Sequence, residues 1–325
     1  MTTVHDNSDY QSPPPHTGIL REENLMLREL LGYDGLCEAP PPSLAFHAYL
    51  GSNLPNSALK DVLFIAVDID TFQGYESIIP GQQFHIGVSI LDTRSLRDMV
   101  RSCPVLESPE HVVRSFQFTI GDSRYCRRAS HRFLFGKTEG IPLSDFKPKL
   151  LGLASGRDTV LVLHGGNEDL KVLRNLGIDL RPLCIIDTVK AAQHPLQLSY
   201  RYSLERLLDE LDIPFAALHA AGNDAHFTMR ALCMIAARDA ERQSPASSIL
   251  TPLLQTLSSI GQAPRPLIYG EIMAPIDEAW GAEKWEAKRE RKAKRAARTE
   301  RRRLERLGRA QSESPPLSPA SIEEA

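Results

Sequence analysis

The stretch VLFIAVDID, residues 62–70, is apolar for the length of a strand and then places two aspartates one residue apart. Side chains alternate across a pleated strand, so Phe64, Ala66, Asp68 and Asp70 fall on one face. The apolar run predicts a central strand of a sheet, where two same-face acids flanking Ile69 repel each other and resist loss of water. Such a pair persists only if something positive sits between the carboxylates.

Working outward, QFHIGVSILDT (83–93) follows a Pro-Gly turn and reads as a second strand. VVRSFQFTI (112–120) alternates as a third, so the three predict an antiparallel meander. The pattern then changes. TVLVLHGG (159–166) predicts a buried strand, with Asn167 capping a helix EDLKVLRNL that stops at Gly177. LCIIDT (183–188) is another short strand, and YSLERLLDELDI sets Leu204, Leu207, Leu208 and Leu211 on one helical face. A meander followed by strand, helix, strand, helix implies an α/β architecture, a mixed sheet with helices packed against it.

The flanks differ from this body. Residues 1–16 are polar with a proline triplet and are expected to be disordered; Thr17 is placed to cap a short amphipathic helix, ILREENLMLRELLG, ending at Gly32. The expected organisation is a disordered N-terminus with that helix over 1–42, one domain over 43–240, a linker over 241–281, a basic helical arm over 282–310 and a disordered tail over 311–325. Between Glu283 and Arg309 thirteen Lys and Arg stand against five Glu, a net of +8, so residues 1–282 carry −8 once the three tail glutamates are set aside. An acidic body therefore trails a basic arm. That arm reads in three ways: phosphate neutralisation on RNA, an import-receptor signal, or a solvated helix with Glu-Lys and Glu-Arg pairs.

The 325 residues, 42% of them hydrophobic, suffice for a sizeable core. No run of about 18 apolar residues occurs, and the first residues lack the basic and apolar regions of a secretion signal, so no membrane association is expected and an intracellular chain, nuclear or cytoplasmic rather than secreted, is. Cys37, Cys103, Cys126, Cys184 and Cys233 are odd in number and form no CxxC pair, which points away from a disulfide framework or a zinc site. The strand leading to His-Gly-Gly at 164–166 has the look of an oxyanion loop, but that chemistry needs a nucleophile in G-x-S-x-G, and the sequence has none.

The chemistry-bearing pattern is carboxylates on separate elements: Asp68 and Asp70 on the first strand, Asp169 in the first turn of a helix, and Asp224 five residues after His219 in LHAAGNDAHFTMRAL (218–232). Asp169 alone would be a helix-dipole partner and Asp224 alone a helix-start residue. Together they are the oxygen ligands that hard divalent cations, Mg2+ or Mn2+, take, and two such ions activate a water and stabilise a leaving oxygen in phosphodiester cleavage. Residues five apart on a helix point in different directions, so His219 is expected on the loop before the helix, with Gly222 and Asn223 making the bend. There an imidazole, which titrates near neutral pH, can take the proton of an attacking water.

In this order the motifs resemble the DEDDh exonuclease superfamily, whose RNase H-like fold has a mixed five-stranded sheet flanked by helices. DID at 68–70 matches its Asp-x-Glu motif, HGGNEDL supplies Asp169, and HAAGND at 219–224 matches His-x-Ala-x-x-Asp. HIGVSILDT, RFLFGKTE and LHAAGNDAHFTMRAL look most like the fungal group around the good-for-full-DBP-activity protein, a factor associated with messenger RNA export. The resemblance covers about residues 60–237. It implies that Asp68, Asp70, Asp169 and Asp224 bind two metal ions and that His219 is general base in 3'-to-5' removal of nucleotides from a single strand, RNA favoured over DNA. One departure is Asp70 where the family has Glu, a carboxylate shorter in reach by about 1.5 Å; the alternative it implies is a weak or inactive module that binds RNA or protein in messenger RNA export or RNA metabolism. Phe72 and Tyr75 are candidates to stack on a terminal base or to pack in the core, and Arg127, Arg128, Arg132 and Lys137 to meet phosphates or to lie on a solvated loop. His164 and His226 are expected to be structural or exposed.

Overall fold

The computed structural model describes residues 18–33, 49–102, 112–154, 156–243, 251–268, 271, 289–298 and 300–301. These divide into two units, residues 1–266 and 267–325.

In the first unit the elements run, in chain order, α1 (Glu22–Leu31), β1 (Val62–Thr71), β2 (Phe84–Asp92), α2 (Thr93–Ser102), β3 (Val113–Ile120), α3 (Arg124–Arg132), β4 (Thr138–Gly140), α4 (Leu143–Ala154), β5 (Asp158–Leu163), α5 (Asn167–Asn175), β6 (Cys184–Asp187), α6 (Thr188–Ala191), α7 (Leu204–Glu210), α8 (Ala221–Gln243) and α9 (Thr251–Gly261). The sheet order is β4-β3-β2-β1-β5-β6, antiparallel from β1 to β3 and parallel elsewhere. This is the mixed, helix-flanked sheet of the RNase H-like expectation, with β1 at its centre. It has six strands rather than five, because the three-residue β4 adds to the outer edge of β3 through Gln117 to Thr119. Three residues carry no readable alternation, which is why this strand was not expected.

The alternation read from residues 62–70 separates two cores. Leu63, Ile65, Val67 and Ile69 pack with Phe146 and Leu150 of α4 and Val172 and Leu173 of α5. Phe64 and Ala66 face the other way, into a larger core built with α1, α7, α8 and α9. Helix α8 runs through that second layer and is buried from Ala221 to Cys233 and beyond, as its alanine-rich sequence permits.

Several local expectations are corrected. The N-terminal helix starts at Glu22, not near residue 19, and Arg21 precedes it, its amide donating to Asn24 Oδ1 at 3.2 Å; Thr17 lies outside the described residues. Asn167 is the first residue of α5 rather than its cap, a place taken by Gly166. Gly222 and Asn223 lie inside α8, and the bend before it falls at Ala217 and His219, whose φ values are 55° and 64°. The stretch read as a linker after residue 240 contains α9, whose Leu253, Leu257 and Ile260 join the core. Arg230, 1% exposed, reaches from α8 to the carbonyls of Gly261 and Ala263 and so satisfies the end of α9.

Helix α1 is fixed to α8 through charge. Arg28 grips Asp239 with two nitrogens at 2.7 and 2.9 Å, and Tyr33 Oη and His194 Nδ1 reach the same carboxylate at 3.2 Å each. No described helix is long and apolar enough to cross a membrane. In the second unit residues 289–298 are helical and exposed, with Glu290 and Lys294 one turn apart at 2.6 Å. The rest of the basic arm, apart from residues 300 and 301, and the tail lie outside the described residues.

Candidate active site

Strand β1 outruns its parallel neighbour. β5 pairs with it only over Val62 to Ala66, so residues 67–71 project past the end of β5. Asp169, in the first turn of α5, takes up that space: its Oδ1 accepts the Ile69 amide at 2.8 Å. Asp68 and Asp70 point to the opposite face, where α8 delivers Asp224. A carboxylate oxygen from each of Asp68, Asp70 and Asp224 lies within 4.8 Å of the others. The four predicted acids are therefore brought to one end of β1, three in a tight group and Asp169 anchored on the strand beside them.

Their electrostatics are those of crowded, largely buried acids. Burial, then the charges of Asp224, Asp169 and Asp70, pushes Asp68 well above the carboxylate range. Burial and the charge of Asp70 push Asp224 up to about 8, against the pull of the His219 amide and Arg132. Burial, and the charge of Asp70, likewise bring Asp169 up to about 6 although the Ile69 amide opposes them. Such a set favours a bound divalent cation, which replaces the protons and relieves the repulsion. Oxygen donors alone, with no thiolate or buried imidazole among the three clustered groups, suit a hard ion.

His219 and Asp224 meet, but not through the ring. The main-chain N–H of His219 donates to the Asp224 carboxylate at 2.9 and 3.2 Å, while the imidazole belongs to an exposed residue. The start of α8 is tied to the sheet by side chains that sequence reasoning did not single out. The Ala221 amide donates to His85 Nδ1 of β2 at 3.2 Å, and the Gly222 amide to Gln117 Oε1 of β3 at 3.0 Å. Gln117 is held in turn by its own amide nitrogen on Ala129 O and Thr138 Oγ1. These sheet side chains satisfy helix-start donors that a local cap ordinarily takes.

Two glycines allow this approach. Gly87 of β2 pairs with Asp68, and a Cβ there would stand 2.5 Å from Gly222 N and closer still to the Ala221 carbonyl. At Gly222 a Cβ would meet Phe133 at 2.6 Å and Gln117 Cβ at 2.8 Å. An isolated glycine inside the strand FHIGVSILD is the sequence signal that could have found the contact, since strand glycines mark close backbone approach.

The weaker predictions separate. Phe72 is 74% exposed, with its ring 5.8 Å from that of Tyr125, so it is no core residue. Tyr125 also lies against His85 at 4.7 Å, giving an aromatic wall beside Asp70 that sequence reasoning missed. Tyr75 does both things considered for it in part: its ring packs on the core under α4 and α5, and its hydroxyl reaches Asp70 Oδ1 at 3.5 Å. Arg127 is engaged by Asp122 at 2.9 Å, and Arg128 and Lys137 are exposed. Arg132 is half-buried and donates to the Leu218 carbonyl at 2.5 Å. His226 is structural, 1% exposed, stacked on Phe135 at 3.5 Å and bonded to Ser115. His164 bonds Thr188 through Nδ1 at 2.9 Å.

The family described as DEDDh_C, DNA polymerase III subunit epsilon-like, C-terminal domain, matches residues 63–235, from the second residue of β1 into α8. No curated protein matches the chain. The matched region is more than half of the 325 residues and contains the three clustered carboxylates, Asp169 and His219, and on that basis the chain belongs to the DEDDh family.

Proposed function

We propose that this protein is a metal-dependent 3'-to-5' exonuclease acting on single-stranded nucleic acid, RNA in preference to DNA. One observation carries the reading: the grouping of Asp68, Asp70 and Asp224 within 4.8 Å, with Asp169 on the adjoining amide of Ile69. These four carboxylates are the residues that would hold two divalent ions, Mg2+ or Mn2+. Such ions, when bound, supply an acidified water and charge stabilisation at the phosphate. His219 is the proposed general base, its main chain fixed to Asp224 and its ring exposed to receive the proton. Phe72 offers an exposed face for a terminal base, and Arg128 an exposed cation for the backbone.

The preference for RNA, and a place in the nucleus or cytoplasm, rest on the resemblance to the fungal export-associated group. The basic arm, residues 283–309, suits either an RNA backbone or an import receptor. A second reading is favoured by Asp70: with a carboxylate one methylene short of the family's glutamate, the domain is an attenuated nuclease that serves as a binding module.

The test uses the full chain with end-labelled single-stranded RNA and DNA, in Mg2+ or Mn2+, beside Asp68→Ala and His219→Ala. Stepwise loss of nucleotides from the 3' end by the wild type alone supports the exonuclease. Binding without trimming by all three proteins selects the second reading. Trimming that appears or rises in Asp70→Glu assigns the attenuation to the short side chain.

A further inference from the structure

We propose that Arg132 is a positioning residue that, with Asn223, clamps the loop carrying His219 over the acid cluster. The inference rests on His219 being the base of the proposed reaction. The loop does not hold itself: Ala217 and His219 both sit in the left-handed region, at φ 55° and 64°, which side chains with a Cβ adopt at a cost. Two successive peptide groups are held by three side chains, the Leu218–His219 peptide from both its ends. The Ala217 carbonyl accepts from Asn223 Nδ2 at 2.8 Å, the Leu218 carbonyl from the Arg132 guanidinium at 2.5 Å, and the His219 amide donates to Asp224 at 2.9 Å.

The two clamping residues are themselves linked. Asn223, with no exposed surface, donates from Nδ2 to the Arg132 carbonyl at 2.8 Å and accepts the Leu134 amide on Oδ1 at 2.9 Å. One buried amide thus joins the end of α3 to the His219 loop, and the guanidinium closes the ring from the other side. Arg132 stands beside the acids as well, since its charge is felt at Asp224 and at His85. A half-buried arginine at the reacting centre would ordinarily be assigned to a phosphate. Here its donor is turned onto the main chain next to the base, which fixes the backbone from which the imidazole is presented.

The experiment compares wild type, Arg132→Met and Arg132→Lys in the full chain, each alone and combined with His219→Gln. Histidine-labelled protein gives a ring signal for His219, assigned by its disappearance in His219→Gln. In Arg132→Met that signal is expected to narrow and shift, as the main chain behind the ring gains freedom. With a clamp lost, kcat should fall by about 10- to 100-fold while KM stays within about threefold, the size of effect a misplacement of about 1 Å produces. In the His219→Gln background the same substitution should cost nothing further, because it acts through the missing ring. Arg132→Lys, which keeps the charge and stem, should show an intermediate signal and guards against a variant that fails to fold. An unchanged His219 signal overturns the proposal. So does weaker binding of the labelled strand that persists in His219→Gln, which would assign Arg132 to a substrate phosphate instead. Absence of trimming by the wild type would remove the exonuclease reading alone, since the ring signal still decides whether Arg132 holds the loop.

Discussion

Gly87→Ala is a single methyl group placed where the sheet and the start of α8 touch backbone to backbone. The new Cβ would stand 2.5 Å from Gly222 N, with the Ala221 carbonyl nearer, against 3.4 Å or more for ordinary contact. Neither neighbour is the end of a flexible side chain, so the helix must retreat from β2 by about 1–1.5 Å to relieve the overlap. That retreat stretches the bonds from Ala221 to His85 and from Gly222 to Gln117. Overpacking costs about 1–3 kcal/mol and each weakened bond about 1 kcal/mol. A total of about 3–5 kcal/mol lowers Tm by about 6–20 °C in a domain of this size. The larger effect falls on the site, since the same motion carries Asp224 away from Asp68, the residue that Gly87 pairs with. Calorimetric titration with Mn2+ and scanning calorimetry in chelator measure the two effects separately: weaker ion binding together with a lower Tm is expected. If Gly87→Ala keeps wild-type Tm to within a degree and binds Mn2+ as tightly, the backbone contact is not what seats Asp224, and the reasoning fails.

Other outcomes follow from the charges. In chelator, Asp169 and Asp224 titrate at about 6 and about 8 against 3.8 in the unfolded chain, so between those values the folded state holds the extra protons and rising pH favours unfolding. Tm in chelator should therefore fall from pH 4 to 8, with Asp169 alone contributing about 3 kcal/mol, and the Tm increase on adding Mn2+ should be larger at pH 8 than at pH 5.5; a flat profile with equal increases would refute it. Asp224→Asn should flatten the upper part of that profile, between pH 6 and 8, and abolish most of the Mn2+ effect in the same calorimetric scan. Arg28→Met leaves Asp239 buried with its main partner gone and should cost about 3–5 kcal/mol by urea unfolding, while a loss under about 1 kcal/mol would mean that the Arg28–Asp239 pair is not what holds α1. Against the upward pull of burial, Arg28 and His194 hold Asp239 below the usual carboxylate range, so its contribution should fade as pH falls through that lowered value.

What was legible in the sequence is what depends on neighbours along the chain. The alternation in VLFIAVDID assigned the central strand, its two faces and the direction of Asp68 and Asp70, because a period of two leaves no freedom once one face is apolar. Asp224 in the first turn of α8 and Asp169 in that of α5 were equally local. Less legible was whatever depends on residues far apart. The Arg28 to Asp239 pair spans 211 positions, and Arg28 was read only as part of an amphipathic pattern. Helix α9 was read as linker from its flanking Ser and Pro, although Leu253, Leu257 and Ile260 recur at helical spacing, because its buried face becomes meaningful only against α8.

The bend before α8 was misplaced for the same reason, and the error is informative about how the site is built. Gly222 and Asn223 have the composition of a turn, and locally that is how they read. In the fold, Gly222 is small so that the helix can lie on Phe133 and Gln117, and Asn223 is polar so that it can bond Ala217, Arg132 and Leu134. The turn itself is left to Ala217 and His219, neither of them glycine, and alanine has no preference for positive φ. A loop bent by its surroundings rather than by its own residues takes its geometry from those surroundings. The main chain at His219 is thereby held by α3 and α8, and the start of α8 by β2 and β3, so substitutions at Gly87, Gln117 or Arg132 reach the site without removing a single carboxylate.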